Sequence, residues 1–290
     1  EYCGSNEKCG LFVSNLRTFI EYREVIPEDW DGIIPDQTIK SIEFRNVSFS
    51  YKDGKYALKN LNFRIEGNSV VALVGHNGAG KTTIIKLLFR LYDPTSGEIL
   101  VNGRNIKEYN LRAYRQLFAA AFQDYKVFAL SVKDNVLMGR KVKGVDEAVI
   151  EALKKAGVYE KVISLPNGIN TILTKEFDED GAVLSGGQYQ KIVVARAFVQ
   201  DTPVKVFDEP SSALDPIAEY EMYKSIMKES KDKTMIFISH RLSSVRNADR
   251  VFMFDKGELI EQGTHEELNE YERFLCRYVY KTGYELSCSE

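Results

Sequence analysis

The stretch VVALVGHNGAGKTTIIKLLFRLY, from Val70 to Tyr92, decides the fold that the sequence predicts. It opens with the apolar run Val70–Gly75, which is typical of a strand buried on both faces of a parallel sheet. The residues Gly75–Thr82 match the pattern GxxxxGK[ST], and the residues after them have helical periodicity. A buried strand, a glycine-rich loop and a helix in this order predict a phosphate-binding loop, or P-loop, in an α/β domain.

This loop is expected to hold nucleotide phosphates mainly through its backbone. Glycines let successive N–H groups point inward, and the following helix presents its N-terminus to an anion. Lys81 is expected to bridge the terminal phosphates, and the Thr82 hydroxyl is expected to bind Mg²⁺. The alternative, a glycine-rich turn without a ligand, would not need a lysine and a threonine at these two positions of the pattern. The expected phosphate-binding residues are Gly75, His76 (as a tolerated member of the loop), Asn77, Gly78, Ala79, Gly80, Lys81, Thr82 and Thr83.

A second acidic element is expected at the end of the strand Val204–Phe207. A carboxylate at the end of a buried strand is costly unless it is paired or binds a cation, so Asp208 is a candidate Mg²⁺ ligand. Glu209 follows and is a candidate general base that activates a water beside the γ-phosphate. The alternative, a solvated strand end, fits less well with the apolar run before it. Lys205 interrupts that run, and we expect its stem to follow the sheet while its amine reaches water.

Further apolar runs predict the other strands of a parallel sheet, and they are Leu117–Phe122, Val204–Phe207, Thr234–Ser239 and Val251–Phe254. Before the P-loop, alternation from Ser41 to Tyr51, the turn residues KDGK and the segment LNFRI predict an antiparallel flap. Between Asp124 and Asp201 the pattern is mostly helical. The predicted fold class is α/β: a P-loop NTPase core with a parallel sheet, an antiparallel β flap and an inserted helical subdomain at about residues 124–201.

The composition is that of an ordinary globular protein. With 290 residues and 44% hydrophobic content, the chain can bury a substantial core in one large or two modest domains. A net charge of -3 and a pI of about 5.9 give no indication of nucleic acid as a partner. The four cysteines lie near the two ends without CxxC or metal-ligand spacing, which favours a reduced, cytosolic compartment over a terminal disulfide.

The first 40 residues differ from the rest of the chain. Phe12, Leu16, Phe19 and Ile20 fall on one face of a helix predicted over Leu11–Tyr22, and the proline-bounded linker PEDWDGIIPDQT follows it. No run approaches the roughly 18 apolar residues of a membrane-spanning helix, and no signal-peptide pattern is present. The chain begins with glutamate rather than methionine, so we expect it to be a piece of a longer protein. The predicted division is residues 1–40, an amphipathic segment with its linker, and residues 41–290, the folded domain.

The P-loop alone leaves kinases, GTPases and motor proteins open. The residues LSGGQ, Leu184–Gln188, together with the elements above, resemble the signature of the ATPase domains of ATP-binding cassette (ABC) transporters. The resemblance extends from about Ser41 to Leu268. It implies that the chain binds and hydrolyses ATP with Mg²⁺, and that it forms a dimer with a second ABC ATPase domain.

The resemblance also implies roles for single residues. In the family an aromatic residue of the flap stacks on adenine, which implies Tyr51, with Tyr56 as the competing position. A glutamine before the helical subdomain contacts Mg²⁺ and the attacking water, which implies Gln123. A histidine after a core strand contacts the γ-phosphate, which implies His240, and the segment SALD implies Asp215 as the D-loop residue. The implied catalytic residues are Glu209, His240, Lys81 and Gln123, and the implied Mg²⁺ ligands are Thr82, Gln123 and Asp208.

The signature has two interpretations. Ser185 and Gln188 have the S-x-x-Q spacing of a capping box, so the stretch could simply begin a helix. Gly186 and Gly187 are poor choices for that purpose alone, because glycine costs about 1 kcal/mol against alanine in a helix. Exposed amides and the helix dipole would form an anion site. By family resemblance, Ser185–Gln188 face the γ-phosphate that the P-loop of a second chain holds.

The stretch SHRLSSVRNADRVFMFDKGELIEQGTHEEL resembles the exporter branch, in which the ATPase is usually fused behind membrane helices. This implies a transmembrane domain upstream, with Leu11–Tyr22 as the cytosolic tail of its last helix, and a position on the cytoplasmic face of the cell membrane. It also implies that a coupling helix docks on DYKVFALSV, after Gln123. Two residues depart from the pattern. Asp180 replaces an arginine that usually precedes the signature, and Tyr189 stands where arginine is common, but neither touches the ATP chemistry.

Two other functions stay open. A soluble family member acting in translation or DNA repair would normally carry tandem ATPase units or a long coiled-coil insertion, and this sequence has one unit and neither addition. A regulatory nucleotide-binding half of a heterodimer, catalytically degenerate, is disfavoured by Lys81, Glu209, His240 and the intact SGGQ.

Overall fold

A computed structural model of the chain describes residues 3–21, 26, 31–52, 54–239 and 247–269. Its helices within these ranges are α1 Cys3–Ile20, α2 Lys81–Leu88, α3 Leu111–Arg115, α4 Val132–Leu137, α5 Val145–Lys155, α6 Tyr159–Ile163, α7 Gly186–Phe198, α8 Pro216–Lys228 and α9 His265–Asn269. Its strands are β1 Ser41–Ser50, β2 Tyr56–Glu66, β3 Val70–Gly75, β4 Ser96–Val101, β5 Arg104–Asn105, β6 Phe118–Ala121, β7 Val204–Asp208, β8 Thr234–Ile238, β9 Arg250–Asp255 and β10 Glu258–Gly263.

The central sheet has parallel strands in the order β9, β3, β8, β7 and β6, and β10 pairs antiparallel with β9 at one edge. β3, β7 and β8 are buried along their whole length, as their continuous apolar sequences predict. The predicted parallel sheet is confirmed. The sequence does not predict β10, because ELIEQG forms a partly exposed edge strand and lacks an apolar run. Since the strands are parallel, Gly75 at the end of β3 and Asp208 at the end of β7 lie at the same edge of the sheet.

The flap is an antiparallel sheet with the strand order β2-β1-β4-β5. β1 and β2 form the predicted pair, in which Phe44 lies opposite Phe63 and the two rings stack with centroids 4.5 Å apart. β4 pairs with the other edge of β1, where Ile99 lies opposite Phe44. The sequence does not predict β4 and β5, because SGEILV opens with residues that favour turns and β5 has only two residues.

Two apolar clusters hold these layers together. The flap and one face of the central sheet share the first cluster with α2, and Phe63 contacts Phe252 of β9 at a centroid distance of 5.0 Å. The second cluster joins helices α4, α5 and α7 to the opposite face of the sheet. In it, the ring centroids of Phe198 and Phe207 are 6.0 Å apart. The P-loop and α2 therefore lie between the flap and the central sheet, while the inserted helices cover the other face. The predicted α/β fold class is confirmed.

The prediction that the amine of Lys205 reaches water is wrong. Lys205 of β7 has 0% of its side chain exposed, and its Nζ lies 3.6 Å from Oε2 of Glu229. Glu229 also pairs with Lys155 of α5 at 2.8 Å. Burial lowers the pKa of Lys205 from its usual 10.5 to about 8, and Glu229 opposes only part of that effect. The carboxylate after α8 is within reach of the amine, so a buried ion pair forms where the sequence alone indicated a solvated lysine.

The N-terminal helix α1 contains most of the predicted amphipathic helix, and Tyr22 lies outside the described residues. The apolar side chains Phe12, Leu16, Phe19 and Ile20 on it are exposed. Among the described residues, none of the helices combines the length and the apolar character that crossing a membrane requires. The predicted linker contacts the domain at Ile33, whose backbone N–H donates to the carbonyl of Glu108 at 2.9 Å.

Candidate nucleotide-binding site

The P-loop connects the end of β3 to the start of α2, as the sequence predicts. Gly80 has φ of +98°, which lies in the left-handed region that favours glycine. A Cβ at this position would lie 2.5 Å from Cδ2 of Leu58 and 2.9 Å from the carbonyl oxygen of Ala57. The flap therefore packs directly against the loop, and only glycine allows this approach.

A cavity of about 410 Å³ opens beside this loop, within the size range of small-molecule sites. It brings together residues from the flap, the P-loop, the end of β7 and the segment after β6. The residues that line it are Tyr51, Ala57, Asn77, Gly78, Gly80, Lys81, Thr82, Thr83, Gln123, Asp208, Glu209 and Ile238. Three predicted loop residues, Gly75, His76 and Ala79, lie in the loop but do not line the cavity.

The ammonium group of Lys81 lies inside the loop. Its Nζ donates to the carbonyl oxygens of Gly75 at 2.7 Å and His76 at 3.0 Å. Burial lowers the pKa of Lys81, while the carboxylates of Glu209 and Asp208 act in the opposite direction. The backbone therefore orients the amine toward a cavity that also contains two carboxylates, and phosphate oxygens placed there would meet a pre-positioned cation.

Thr82 and Asp208 form the second contact of the site. Oγ1 of Thr82 donates to Oδ2 of Asp208 at 3.0 Å. The other carboxylate oxygen of Asp208, Oδ1, is buried and has no hydrogen-bond partner among the described residues. Burial is the main reason that the pKa of Asp208 is raised to about 6, and the Thr82 hydrogen bond opposes it.

These residues fit a Mg²⁺ ion. Mg²⁺ prefers oxygen ligands, and a buried carboxylate oxygen without a donor beside a threonine hydroxyl supplies two of them. In the part of the chain that the structure describes, no group of three His, Cys, Asp or Glu side chains is close enough to hold a metal. Such a site relies on substrate phosphates for its remaining ligands, which is how Mg²⁺ is usually bound in phosphoryl-transfer enzymes.

Gln123 and Glu209 meet although they are 86 residues apart, because Nε2 of Gln123 donates to Oε2 of Glu209 at 3.0 Å. Glu209 follows β7 directly and has φ of +49°, which is uncommon for a residue other than glycine. Its N–H donates to the carbonyl oxygen of Ile238 at the end of β8. The neighbouring strand thus holds the backbone of Glu209 in a conformation that directs its carboxylate into the cavity.

Tyr51, the predicted adenine platform, lies at the flap side of the cavity. Its hydroxyl is 3.1 Å from Oγ1 of Thr83, and its ring packs edge-on against Phe49 and Tyr92. Tyr56, the competing position, is 56% exposed and does not line the cavity. The geometry favours Tyr51 as the aromatic residue of this site.

The signature residues Ser185–Gln188 lie outside this cavity, at the start of α7. The predicted capping box is present: Oγ of Ser185 accepts from the N–H of Gln188, and Oε1 of Gln188 accepts from the N–H of Ser185. Gly187 also has a packing role within its own chain. A Cβ there would lie 2.8 Å from the carbonyl oxygen of Ala213. Gly186 is exposed, and a Cβ there would meet nothing closer than 4.0 Å.

Asp215, the predicted D-loop residue, does not line the cavity. Asp215 is the N-cap of α8, where its Oδ1 accepts from the N–H groups of Ala218 at 2.9 Å and Ile217 at 3.0 Å. The Ala218 contact, more than the other, lowers the pKa of Asp215. Its role as the D-loop residue stays a prediction. His240 lies outside the described residues.

Gln190 is a residue of the site that the sequence does not predict; from α7 it contacts the backbone of Glu209. A buried polar residue on an otherwise apolar helix face was the available signal. Tyr189, which departs from the family pattern, also has a contact, since its hydroxyl accepts from the N–H of Leu184 at 3.1 Å. Both residues therefore hold the start of α7 from within the same chain.

The fold and the cavity define the class of the protein: it is a P-loop nucleotide-binding domain, with the cavity at the carboxyl ends of parallel strands. The family model described as ABC transporter matches residues 58–212, slightly more than half of the chain. The chain belongs to the ABC transporter family, and the matched region is the ATP-binding domain of that family.

Several transport proteins are similar to this chain. The ATP-dependent lipid A-core flippase of Idiomarina loihiensis is 40% identical over 250 residues, which cover 86% of this chain and 42% of that protein. The subtilin transport ATP-binding protein SpaT of Bacillus subtilis is 40% identical over 269 residues, covering 89% of this chain and 42% of that protein. The solved structure of a bacterial Atm1-family ABC exporter with ATP bound matches with a TM-score of 0.86 and 30% identity, covering 97% of this chain and 48% of that one. The chain thus spans less than half the length of these relatives.

Proposed function

We propose that this chain is the ATP-hydrolysing domain of an ABC exporter, and that it powers transport of a substrate across a membrane. The observation that carries the proposal is the convergence of Lys81, Gln123, Asp208 and Glu209 on one cavity beside the P-loop. The four residues come from three separate segments, and each has a chemical group that ATP hydrolysis needs.

In the proposed reaction, Lys81 binds the terminal phosphates from its position in the loop. Glu209 acts as the general base that takes a proton from the attacking water. Gln123 orients that water and the Glu209 carboxylate, which it contacts directly at 3.0 Å. Mg²⁺, held by Thr82 and Asp208 with Gln123, would neutralise charge on the phosphate oxygens. We further propose that Tyr51 stacks on the adenine and that His240 contacts the γ-phosphate.

A second ABC ATPase domain completes the site in this proposal. Ser185, Gly186, Gly187 and Gln188 would bind the γ-phosphate held by the P-loop of the partner, and Asp215 would lie at the same interface. The exposure of Ser185 and Gly186, which lie outside the chain's own cavity, supports this assignment. Opening and closing of the dimer would then depend on ATP.

The proposed exporter also needs a transmembrane domain, which we expect upstream of residues 1–40. The relatives named above are exporters or transport proteins more than twice as long as the matched segment, which supports this arrangement. The exposed apolar side chains of α1 fit the tail of a membrane helix. The domain 41–290 would then lie on the cytoplasmic face of the membrane, with residues 124–132 as the docking site of a coupling helix and no nucleic acid as a partner.

The proposal is tested by measuring ATP hydrolysis of the 290-residue chain over a dilution series. If each site needs the signature of a second chain, the specific activity rises with protein concentration. Light scattering with the Glu209→Gln variant should then detect an ATP-dependent dimer. A specific activity that stays constant in a verified monomer would contradict the composite site.

A further inference from the structure

Gln190 makes three hydrogen bonds that join the signature helix to the catalytic segment. It is 3% exposed and lies in the first turns of α7. Its Nε2 donates to the carbonyl oxygen of Glu209 at 2.9 Å and to Oγ of Ser212 at 2.9 Å. Its Oε1 accepts from the N–H of Ala213 at 2.9 Å. One buried amide thus contacts the residue proposed as the base and the D-loop, which we define as Ser212–Asp215.

We propose that Gln190 is a positioning residue that fixes the direction of the Glu209 carboxylate and couples the two ATP sites of a dimer. The inference rests on the proposed role of Glu209 and on the composite site. Gln190 would thus link two parts of one chain: Glu209 in the chain's own ATP site, and the signature residues that bind the partner's ATP.

The backbone of Glu209 needs such a support. Its φ of +49° is unfavourable for a glutamate, so the conformation persists only where surrounding contacts hold it. Three hydrogen bonds of the main chain and Gln190 do so: the N–H of Glu209 to Ile238, its carbonyl to Nε2 of Gln190, and the same carbonyl to the N–H of Ser212 at 3.3 Å. Without the Gln190 donor, the carbonyl of Glu209 loses the shorter of these two contacts and keeps the 3.3 Å contact from the N–H of Ser212, so the direction of the carboxylate is less well defined.

The other end of the link is the glycine pair of the signature. Gln190 lies three residues after Gly187 and four after Gly186, so it shares a helix face with both. Gly187 touches the same D-loop segment, because a Cβ at that position would be 2.8 Å from the carbonyl oxygen of Ala213. The start of α7, the D-loop and Glu209 are therefore packed as one unit. Movement of the signature toward a partner's phosphate would move the base of the chain's own site.

The test compares two buried glutamines changed in the same way. Gln190→Met removes the three hydrogen bonds with little change in volume. Gln200→Met is the matched control, since Gln200 is also buried, and its Nε2 donates to the carbonyl oxygen of Arg196, four residues earlier in the chain. We expect Gln190→Met to lower kcat roughly 10- to 100-fold with ATP affinity unchanged, because a misplaced catalytic group costs rate rather than binding. Gln200→Met should keep the wild-type kcat and the wild-type ATP affinity. Equal loss of kcat in the two variants, or loss of ATP affinity in Gln190→Met, would overturn the positioning role.

A double-mutant cycle separates positioning from general damage. If Gln190 acts on the rate through Glu209, the variant Glu209→Gln/Gln190→Met hydrolyses ATP no more slowly than Glu209→Gln alone. If the fold-losses in kcat of the two single variants multiply in the double variant, the proposal is contradicted. Hydrogen exchange supplies a readout independent of activity: the amide of Ala213 should exchange faster in Gln190→Met and not in Gln200→Met.

Gln190→Leu serves if the methionine variant does not fold. The leucine also removes the donor to Glu209 and places no ionisable group in this buried position, so kcat should again fall while affinity stays. A Gln190→Leu variant with wild-type kcat would refute the inference. The proposed function is tested separately. If Glu209→Gln hydrolyses ATP at the wild-type rate, Glu209 is not the base. If Glu209→Gln loses kcat but neither Gln190 variant does, the role of Glu209 stands and the positioning role of Gln190 is refuted.

Discussion

Alanine at Gly187 and alanine at Gly186 should have opposite effects on the stability of the chain, although the two glycines are adjacent. A Cβ at Gly187 would lie 2.8 Å from the carbonyl oxygen of Ala213 and 3.1 Å from Cδ2 of Leu214. The first distance is roughly 0.6 Å short of an ordinary 3.4 Å contact, and backbone must move to relieve it. At Gly186 the nearest atom is 4.0 Å away, so the new methyl group fits.

The magnitudes follow from two opposing effects. Alanine gains up to about 1 kcal/mol over glycine in a helix, and somewhat less in the first turn. Overpacking costs about 1–3 kcal/mol when rigid neighbours have to shift. Gly186→Ala gains helix stability without a clash, whereas Gly187→Ala has both the gain in helix stability and the cost of overpacking. We therefore expect Gly187→Ala to be less stable than Gly186→Ala by about 1–3 kcal/mol, or about 2–4 °C in Tm for each kcal/mol.

Urea and thermal unfolding of both variants without nucleotide measure this difference, and circular dichroism is a suitable signal. Because ATP is absent, the result reports packing against the D-loop and not binding to a partner. ATP-dependent dimer formation, measured separately, should fall in both variants if both glycines approach the partner's phosphate. A Gly187→Ala chain at least as stable as Gly186→Ala would refute the packing argument, and it would weaken the case that the signature and the D-loop move together.

Three further predictions concern single side chains. Glu209→Gln should bind ATP normally but lower kcat about 10²- to 10⁴-fold, since it removes a general base; an unchanged steady-state rate would exclude that role. Lys81→Ala should weaken ATP binding on the order of 10- to 100-fold, as expected for a charged hydrogen bond, and Lys86→Ala on the same helix should not; equal affinities by calorimetry would contradict the phosphate contact. Lys205→Met removes a buried ammonium whose pKa in the folded state is about 8 against an ordinary 10.5. Since the unfolded chain holds that proton more tightly, the free energy of unfolding of the wild type rises by about 3 kcal/mol as pH rises from about 8 to 10.5. The variant should lack this rise in urea unfolding measured across that pH range.

Much of the candidate site could be predicted because its parts are local patterns. The P-loop is one unbroken segment, in which the glycines act through the backbone and the lysine and threonine act through side chains that this backbone positions. Asp208 and Glu209 follow an apolar strand, and a carboxylate at that position already indicates a cation or a reaction. Tyr51 and Gln123 depended on the family resemblance, because nothing in their immediate sequence distinguishes them from other strand residues.

The unpredicted features all depend on segments far apart in the chain. β4 joins the flap only because the backbone of β1 is available to it, and SGEILV has no strong strand pattern of its own. Gln190 is an ordinary helix residue in the sequence until Glu209 and Ala213 pack beside it. The role of Gly187 in packing was hidden in the same way, since the atom it makes room for is 26 residues further along.

The sequence by itself determined the strand–loop–helix phosphate cradle, the parallel core strands and the capped start of the signature helix. Each of these is set by backbone conformation and apolar periodicity within a few turns or strand residues. Tertiary structure alone decided that Lys205 is buried against Glu229, that Gln123 contacts Glu209, and that the signature helix is joined to the D-loop through Gln190. The physical reason is that desolvation and side-chain hydrogen bonds depend on which distant groups packing brings within about 3 Å.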